Sequence, residues 1–174
     1  MARTTFSGPV ASDNGFEGDI TGDITGDITG AVIATTPVNA TAATLTVTQA
    51  THAGRTVTLN RAAGITATLP AASGSGSVFE FLIGTTVTSN STIIKVANAS
   101  DTMTGTAYVV SDNSAAVLGY RTAASDDTVT LDGSTTGGLK GDLIRLVDVA
   151  ANLYAVTVMS AATGTEATPF SATV

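Results

Sequence analysis

The chain has 174 residues, of which 43% are hydrophobic and none is Trp, which is enough for one substantial domain and an arm, or for at most two small domains. Its net charge of −7, with only seven scattered Lys and Arg residues, argues against a nucleic-acid partner, because phosphate contacts need clustered basic residues. The lack of Cys excludes thiolate chemistry and disulfides. No run approaches the roughly 20 apolar residues that cross a bilayer, so we expect no membrane partner.

Residues 1–17 are predicted to form an N-terminal arm, because they show neither a helical nor a strand period. Phe6, Pro9, Val10 and Phe16 lie among Gly, Ser and Asp in this segment. Aromatic side chains in a polar arm usually dock onto something. Two destinations are open at this point, namely the body of this protein and a different partner.

Residues 18–30 read GDIT-GDIT-GDIT-G, which is three copies of a four-residue unit. Because four is a multiple of two, an extended chain places Ile20, Ile24 and Ile28 on one face. Gly and β-branched residues are poor helix formers and dominate each unit. A strand with one Ile in every four residues buries little apolar surface by itself. The repeat therefore predicts a self-association strand that pairs with other copies of the chain.

Asp19, Asp23 and Asp27 fall on the opposite face of this predicted strand. They must face water or bind cations, since a buried carboxylate without a partner is costly. Their regular spacing lacks the dense ligands of known calcium loops. The pattern favours solvated carboxylates, and we predict no metal site and no cofactor.

Residues 31–42 are predicted to be a linker, and residues 43–174 a Thr-rich β domain. Turn signals divide the domain into about nine or ten short antiparallel strands, the pattern of a β-sandwich or barrel. No segment has a helical period, so almost no helix is expected. Residues 78–83 are nearly all apolar and are predicted to be buried on both faces. Residues 143–149 and 153–158 are predicted to form a hairpin.

Two motifs with possible chemistry are better explained as turns. His52 is the only imidazole for a Ser-His-Asp triad, but no strand-Ser-helix elbow accompanies it, which favours a polar turn histidine. Residues 133–141 resemble a phosphate loop. However, Leu139 intrudes before Lys140, and Gly141 replaces the Ser or Thr that would hold magnesium. We interpret this segment as a Gly-rich β-turn.

Glycoside cleavage needs a pair of carboxylates, which the acidic side chains of the body could supply. The aspartates adjoin turns for the most part and are predicted to be solvated edge charges: Asp126, Asp127, Asp132, Asp142 and Asp148. Glu80 differs, because it lies inside an apolar run, where it either points to solvent or meets a cation such as Arg145. We predict no catalytic residue and no enzyme.

The Thr-rich strands and turns of residues 44–70, 84–94 and 137–144 resemble a module found in structural proteins of tailed bacteriophages. The opening, with Phe6-Ser-Gly-Pro-Val10 and Asn14-Gly-Phe16, is similar to that of phage head decoration proteins. This resemblance implies a capsid decoration, or cement, protein. Such proteins typically sit as homotrimers on the outer capsid surface of the virion and clamp neighbouring major capsid subunits.

On that resemblance, the arm residues Phe6, Pro9, Val10 and Phe16 would contact the capsid or a neighbouring decoration subunit. The alternative is a phage fibre or adhesin subunit that binds a host-surface glycan. A fibre shaft usually carries many more repeats, and a receptor tip usually exposes aromatic residues, and the sequence shows neither. A hydrolase of tailspike type, using Asp126, Asp127 and Asp142, is the weakest of the three hypotheses.

Overall fold

A computed structural model describes residues 36–174, and this part of the chain forms twelve strands and one short helix. The strands are β1 Val38–Ala40, β2 Thr44–Thr46, β3 Thr56–Leu59, β4 Thr66–Thr68, β5 Val78–Ile83, β6 Thr92–Lys95, β7 Thr102–Ser111, β8 Val117–Arg121, β9 Thr128–Leu131, β10 Leu143–Ala150, β11 Leu153–Ala162 and β12 Phe170–Ser171. The helix α1, Gln49–His52, lies between β2 and β3. It is too short to cross a membrane, and no helix of the described residues is long and apolar enough to do so.

The strands form two sheets that enclose one hydrophobic core. The seven-stranded sheet has the order β1-β3-β5-β10-β11-β7-β8, and the five-stranded sheet has the order β12-β9-β6-β4-β2. The first six strands alternate between the sheets, and neighbours within each sheet run parallel. They wind as a parallel coil, in which a strand of the opposite sheet takes the place of the usual crossover helix.

The all-β class is confirmed, but the expectation of antiparallel strands is wrong. Half of the ten strand pairings within residues 36–174 are parallel, including the long pair β7–β11. The alternation of apolar and polar residues shows which face of a strand is buried. It carries no information about the direction of the neighbouring strand, which depends on how the chain winds between the sheets.

The core is built from inward-facing side chains of both sheets. Phe79 and Phe81 from the seven-stranded sheet and Ile94 from the five-stranded sheet are completely buried. Tyr154 is also buried, with its ring edge-on to Phe79 at 6.4 Å between centroids. Its hydroxyl donates a hydrogen bond to the Pro70 carbonyl oxygen at 2.9 Å. Burial, and then the nearby aspartate charges, raise the pKa of Tyr154, which keeps this donor protonated.

Three local predictions can be compared with the strands. The hairpin is confirmed as β10 and β11, with Asn152 at φ 62° in its turn. Strand β1 lies inside the segment predicted as a linker and pairs with β3. The expectation that residues 78–83 are buried on both faces is wrong, because β5 alternates between buried and half-buried residues. The outer face of β5, with Val78, Glu80 and Leu82, is therefore partly open to solvent.

Candidate functional site: an apolar sheet face and an open strand edge

The residues predicted to make contacts lie outside the described part of the chain. This applies to the arm residues Phe6, Pro9, Val10 and Phe16 and to the repeat residues Ile20, Ile24 and Ile28. Their roles remain predictions. The candidate site described below is built from residues 36–174 only.

Asp148 is not a solvated edge charge, as the sequence predicted, but an anchor for the loop before β5. Its carboxylate accepts hydrogen bonds from the backbone N–H groups of Ser73, Gly74 and Ser75 at 2.7–3.2 Å. The hydroxyls of Ser73 and Ser75 donate to it as well. Burial alone would raise the pKa of Asp148, but these hydrogen bonds lower it to about 2. The carboxylate is held ionised, and each of its two oxygens accepts at least two hydrogen bonds.

Asp142 and Asp132 hold the Gly-rich turn from both ends. Asp142 Oδ2 accepts from the N–H groups of Gly138 and Leu139 at 2.7 and 3.0 Å, while burial raises the pKa of Asp142. Asp132 accepts from the N–H groups of Ser134 and Thr136 at 2.8 and 3.0 Å. These bonds, acting against burial, lower the pKa of Asp132. The interpretation of this segment as a β-turn is confirmed.

Asp126 and Asp127 are buried as well, which again corrects the prediction of solvated charges. Asp126 accepts from the Ala123 N–H at 2.8 Å. Asp127 accepts from the N–H groups of Thr173 and Val174 at 2.9 and 3.2 Å, and these bonds outweigh burial and lower its pKa. The physical reason is the same in each case: loops that lack ladder partners offer free N–H groups, and a nearby Asp satisfies them.

The other two candidates for chemistry also have structural partners. His52 is 6% exposed at the end of α1, and its Nδ1 accepts from the Thr48 N–H at 3.0 Å. Glu80 is half-buried on the outer face of β5 and accepts from the Thr56 hydroxyl at 2.7 Å. Arg145 lies directly opposite Glu80 in the strand register. Within residues 36–174, no group of three or more His, Asp or Glu is placed to hold a metal ion.

The surface that stands out is the outer face of the seven-stranded sheet. One row of outward-facing residues crosses it in register through Leu82, Leu143, Met159, Tyr108 and Gly119. Leu82 and Leu143 are half-buried, whereas Tyr108 and Met159 are 50% and 52% exposed. The row is entirely uncharged over five adjacent strands.

A second register pair extends this row at its open end. Val110 and Val117 face each other across β7 and β8 and are 49% and 58% exposed. Together with Tyr108 and Met159 they form what we call the apolar patch. A groove of about 440 Å³ beside the patch is lined by Tyr108, Met159 and Lys140. Contiguous exposed apolar side chains of this kind mark surfaces that bind another molecule.

Strand β8 is the edge of the seven-stranded sheet next to the patch, and on one side its hydrogen-bonding groups have no strand partner among residues 36–174. It pairs with β7 alone. Hydrogen bonds just beyond the two ends of this pairing, from Ser111 N–H to the Ala116 carbonyl and from Thr122 N–H to the Gly105 carbonyl, show which residues of β8 bond to β7. In the alternating antiparallel pattern, the backbone groups of Val117, Gly119 and Arg121 then point away from β7.

Sequence reasoning missed this surface because it looked for contacts in the arm. One signal was available. Apart from Glu80 and Arg145, residues 78–83 and the first half of β10 are apolar on both faces, whereas a strand with one wet face normally alternates. Such a run shows that the second face is also suited to being covered, although it does not show by what.

Comparisons of the chain with protein-family models, with curated proteins and with solved structures find no match.

Proposed function

We propose that this chain is a structural, non-enzymatic protein that decorates the outer surface of a tailed-phage head as a homotrimer and stabilises contacts between major capsid subunits. The observation that carries the binding role is the apolar patch, with Tyr108 and Met159 about half exposed on a sheet face. The capsid as partner comes from the resemblance of the sequence to phage head proteins.

The mechanism is adhesive. Phe6, Pro9, Val10 and Phe16 of the arm bind the capsid, and the repeat contributes to joining copies of the chain. Each contact is weak, but many copies on one particle act together through avidity. The sheet supports such a role because its loops are held by buried, hydrogen-bonded carboxylates such as Asp148 and Asp142.

Labelling of purified particles tests this function. An antibody raised against residues 36–174 is bound to virions from the source of the chain and located by electron microscopy. Label spread regularly over the head supports decoration, whereas label confined to the tail or to fibres, or no label at all, overturns it.

A second experiment tests the arm. The variant carrying both Phe6→Ser and Phe16→Ser is expected to lose binding to heads stripped of the protein, while the control Thr46→Ser, at an exposed position of β2, binds as before. Equal binding by the two variants would remove the arm from the mechanism.

The second candidate is a fibre or adhesin subunit, and the parallel coil of β1 to β6 favours it. Parallel coils of this kind build elongated shafts when their turns repeat. Here the coil spans only three strands in each sheet before antiparallel pairings follow. Label at the tail or on fibres in the same experiment would support this candidate, and glycan binding would be measured next.

A further inference from the structure

We propose that β8 is a pairing site for a second copy of this chain, with the two β8 strands antiparallel about a two-fold axis at Gly119. The two seven-stranded sheets then become one continuous sheet. The inference goes beyond the proposed homotrimer, because a two-fold contact through β8 joins copies in pairs and cannot close a ring of three. It does not depend on the capsid being the partner.

The register follows from the position of the free backbone groups. Gly119 is the middle residue of β8 and opposes itself across the axis. Val117 then opposes Arg121 of the second copy, and Leu118 opposes Tyr120. In this register all three edge-facing residues of each strand lie in hydrogen-bonded pairs. A shift in either direction leaves at least one of them without a partner.

The side chains fit the same axis. No heavy atom of the described residues lies within 4 Å of the position that a Cβ would take on Gly119, so they leave the space above the axis open. Tyr108 stands beside Gly119 in the register, so the rings of the two copies flank the axis and the two patches merge. On the inner face, Leu118 and Tyr120 are half-buried at the sheet end. Pairing turns them into aliphatic–aromatic cross-strand pairs, which stabilise antiparallel ladders.

Charge does not oppose the contact. Arg121 is the one charged residue of β8, and it meets Val117 of the second copy. The two Arg121 residues lie four positions apart along the paired strands, which is about 14 Å at the usual rise. That separation exceeds the Debye length of about 8 Å at physiological salt.

Among the described edges, β8 is also the one best suited to strand pairing. The other edge strands, β1, β2 and β12, have three, three and two residues, against five in β8. Natural edges are usually protected by Pro, Lys or a covering loop. Strand β8, Val-Leu-Gly-Tyr-Arg, has neither Pro nor Lys.

Cysteine cross-linking tests the axis directly, because the natural chain has no Cys. Residues in a hydrogen-bonded antiparallel pair have Cα atoms about 5.5 Å apart, within the range that a disulfide spans. The full-length Gly119→Cys variant is expected to form a covalent dimer under mild oxidation, seen on a non-reducing gel. The matched control is Thr46→Cys, at an exposed position of another edge strand. Equal cross-linking of the two variants overturns the proposal.

A mass measurement gives a second, independent result. Gly119→Lys places a long charged side chain at the axis, and the full-length variant is expected to have at most half the particle mass of the wild type by light scattering. In a trimer that the repeat joins, the three β8 strands cannot all pair with one another, so pairing links separate trimers and its loss lowers the mass by a factor of two or more. Thr46→Lys should leave the mass unchanged, and circular dichroism checks that both variants are folded. An unchanged mass for a folded Gly119→Lys variant overturns the pairing.

The two proposals fail separately in these experiments. A Gly119→Lys variant of unchanged mass that still labels heads removes the pairing and leaves the decoration role standing. A Gly119→Cys variant that forms the covalent dimer, with no label on heads, removes the decoration role and supports the pairing.

Discussion

Replacing Asp148 by Asn should destabilise the domain through one loop. Asp148 is 3% exposed and accepts from three successive backbone N–H groups and two serine hydroxyls of residues 73–75. An amide keeps one acceptor oxygen, but its NH₂ group then faces N–H and O–H donors. Some of these donors lose their partner, and unsatisfied groups near the interior are costly.

The size of the effect follows from the pKa. Its fall from 3.8 to about 2 corresponds to about 2.5 kcal/mol of stabilisation of the ionised form. Ser73 and Ser75 are exposed, and solvent screening reduces this to about 1–2 kcal/mol. The expected loss for Asp148→Asn at neutral pH is therefore about 1–2 kcal/mol, or about 2–8 °C in Tm for a domain of this size.

The pH dependence distinguishes the loss of the ionised carboxylate from a packing defect caused by the amide, which would not depend on pH. Because the folded-state pKa lies below the unfolded one, the stabilisation is complete above about pH 5 and is lost as the pH falls towards about 2. Measured by urea unfolding, the free energies of unfolding of the wild type and of Asp148→Asn should converge as the pH falls over that range. Asp112→Asn, at an exposed loop position, is the control and should be neutral. A difference in unfolding free energy that stays constant down to pH 2, or an equal loss of stability in Asp112→Asn, would refute the reasoning.

Three further predictions concern single side chains and use urea unfolding as the measurement. Tyr154→Phe should cost about 1 kcal/mol by removing its buried hydrogen bond, whereas Tyr108→Phe at the surface should cost nothing. Gly133→Ala should cost at least about 2 kcal/mol because it combines a φ of 81° with a clash against backbone, and Gly54→Ala, with open space, about 1 kcal/mol. The loss caused by Asp142→Asn should grow as the pH falls from neutrality towards the ordinary range of a carboxyl, since burial raises the pKa of this acid and protonation then stabilises the folded state. A loss that shrinks over that range would contradict this sign.

The fold class could be predicted because it depends on local patterns. Alternating residues in β3, β9 and β11, and the turn before Leu153, identify strands and a hairpin without knowledge of their neighbours. The parallel coil could not be predicted, because Val57 has the same buried face whether β1 and β5 run with β3 or against it. Strand direction is decided by long-range winding.

The aspartates show why the site was harder to predict than the fold. Asp132-Gly133 and Asp126-Asp127 are turn signals, and turns usually lie in solvent. In the structure Asp142 and Asp148 contact residues from distant parts of the chain, such as Ala161 and Ser73. A sequence pattern indicates that an Asp is in a turn. It does not indicate that a loop from elsewhere in the chain will place its free N–H groups on that Asp.

Two independent features of the seven-stranded sheet meet at one place, and their coincidence is the strongest physical argument for an interface there. The first is the apolar patch, which holds four of the six large hydrophobic side chains that are exposed among the described residues. The second is an edge strand whose outward N–H and C=O groups pair with no other strand of the described part of the chain, and which contains neither Pro nor Lys. An apolar patch alone is compatible with many ligands, and an open edge alone with many strands. A partner that satisfies both must offer a strand at the edge and an apolar surface beside it, and a second copy of β8 with its Tyr108 and Met159 offers the two together.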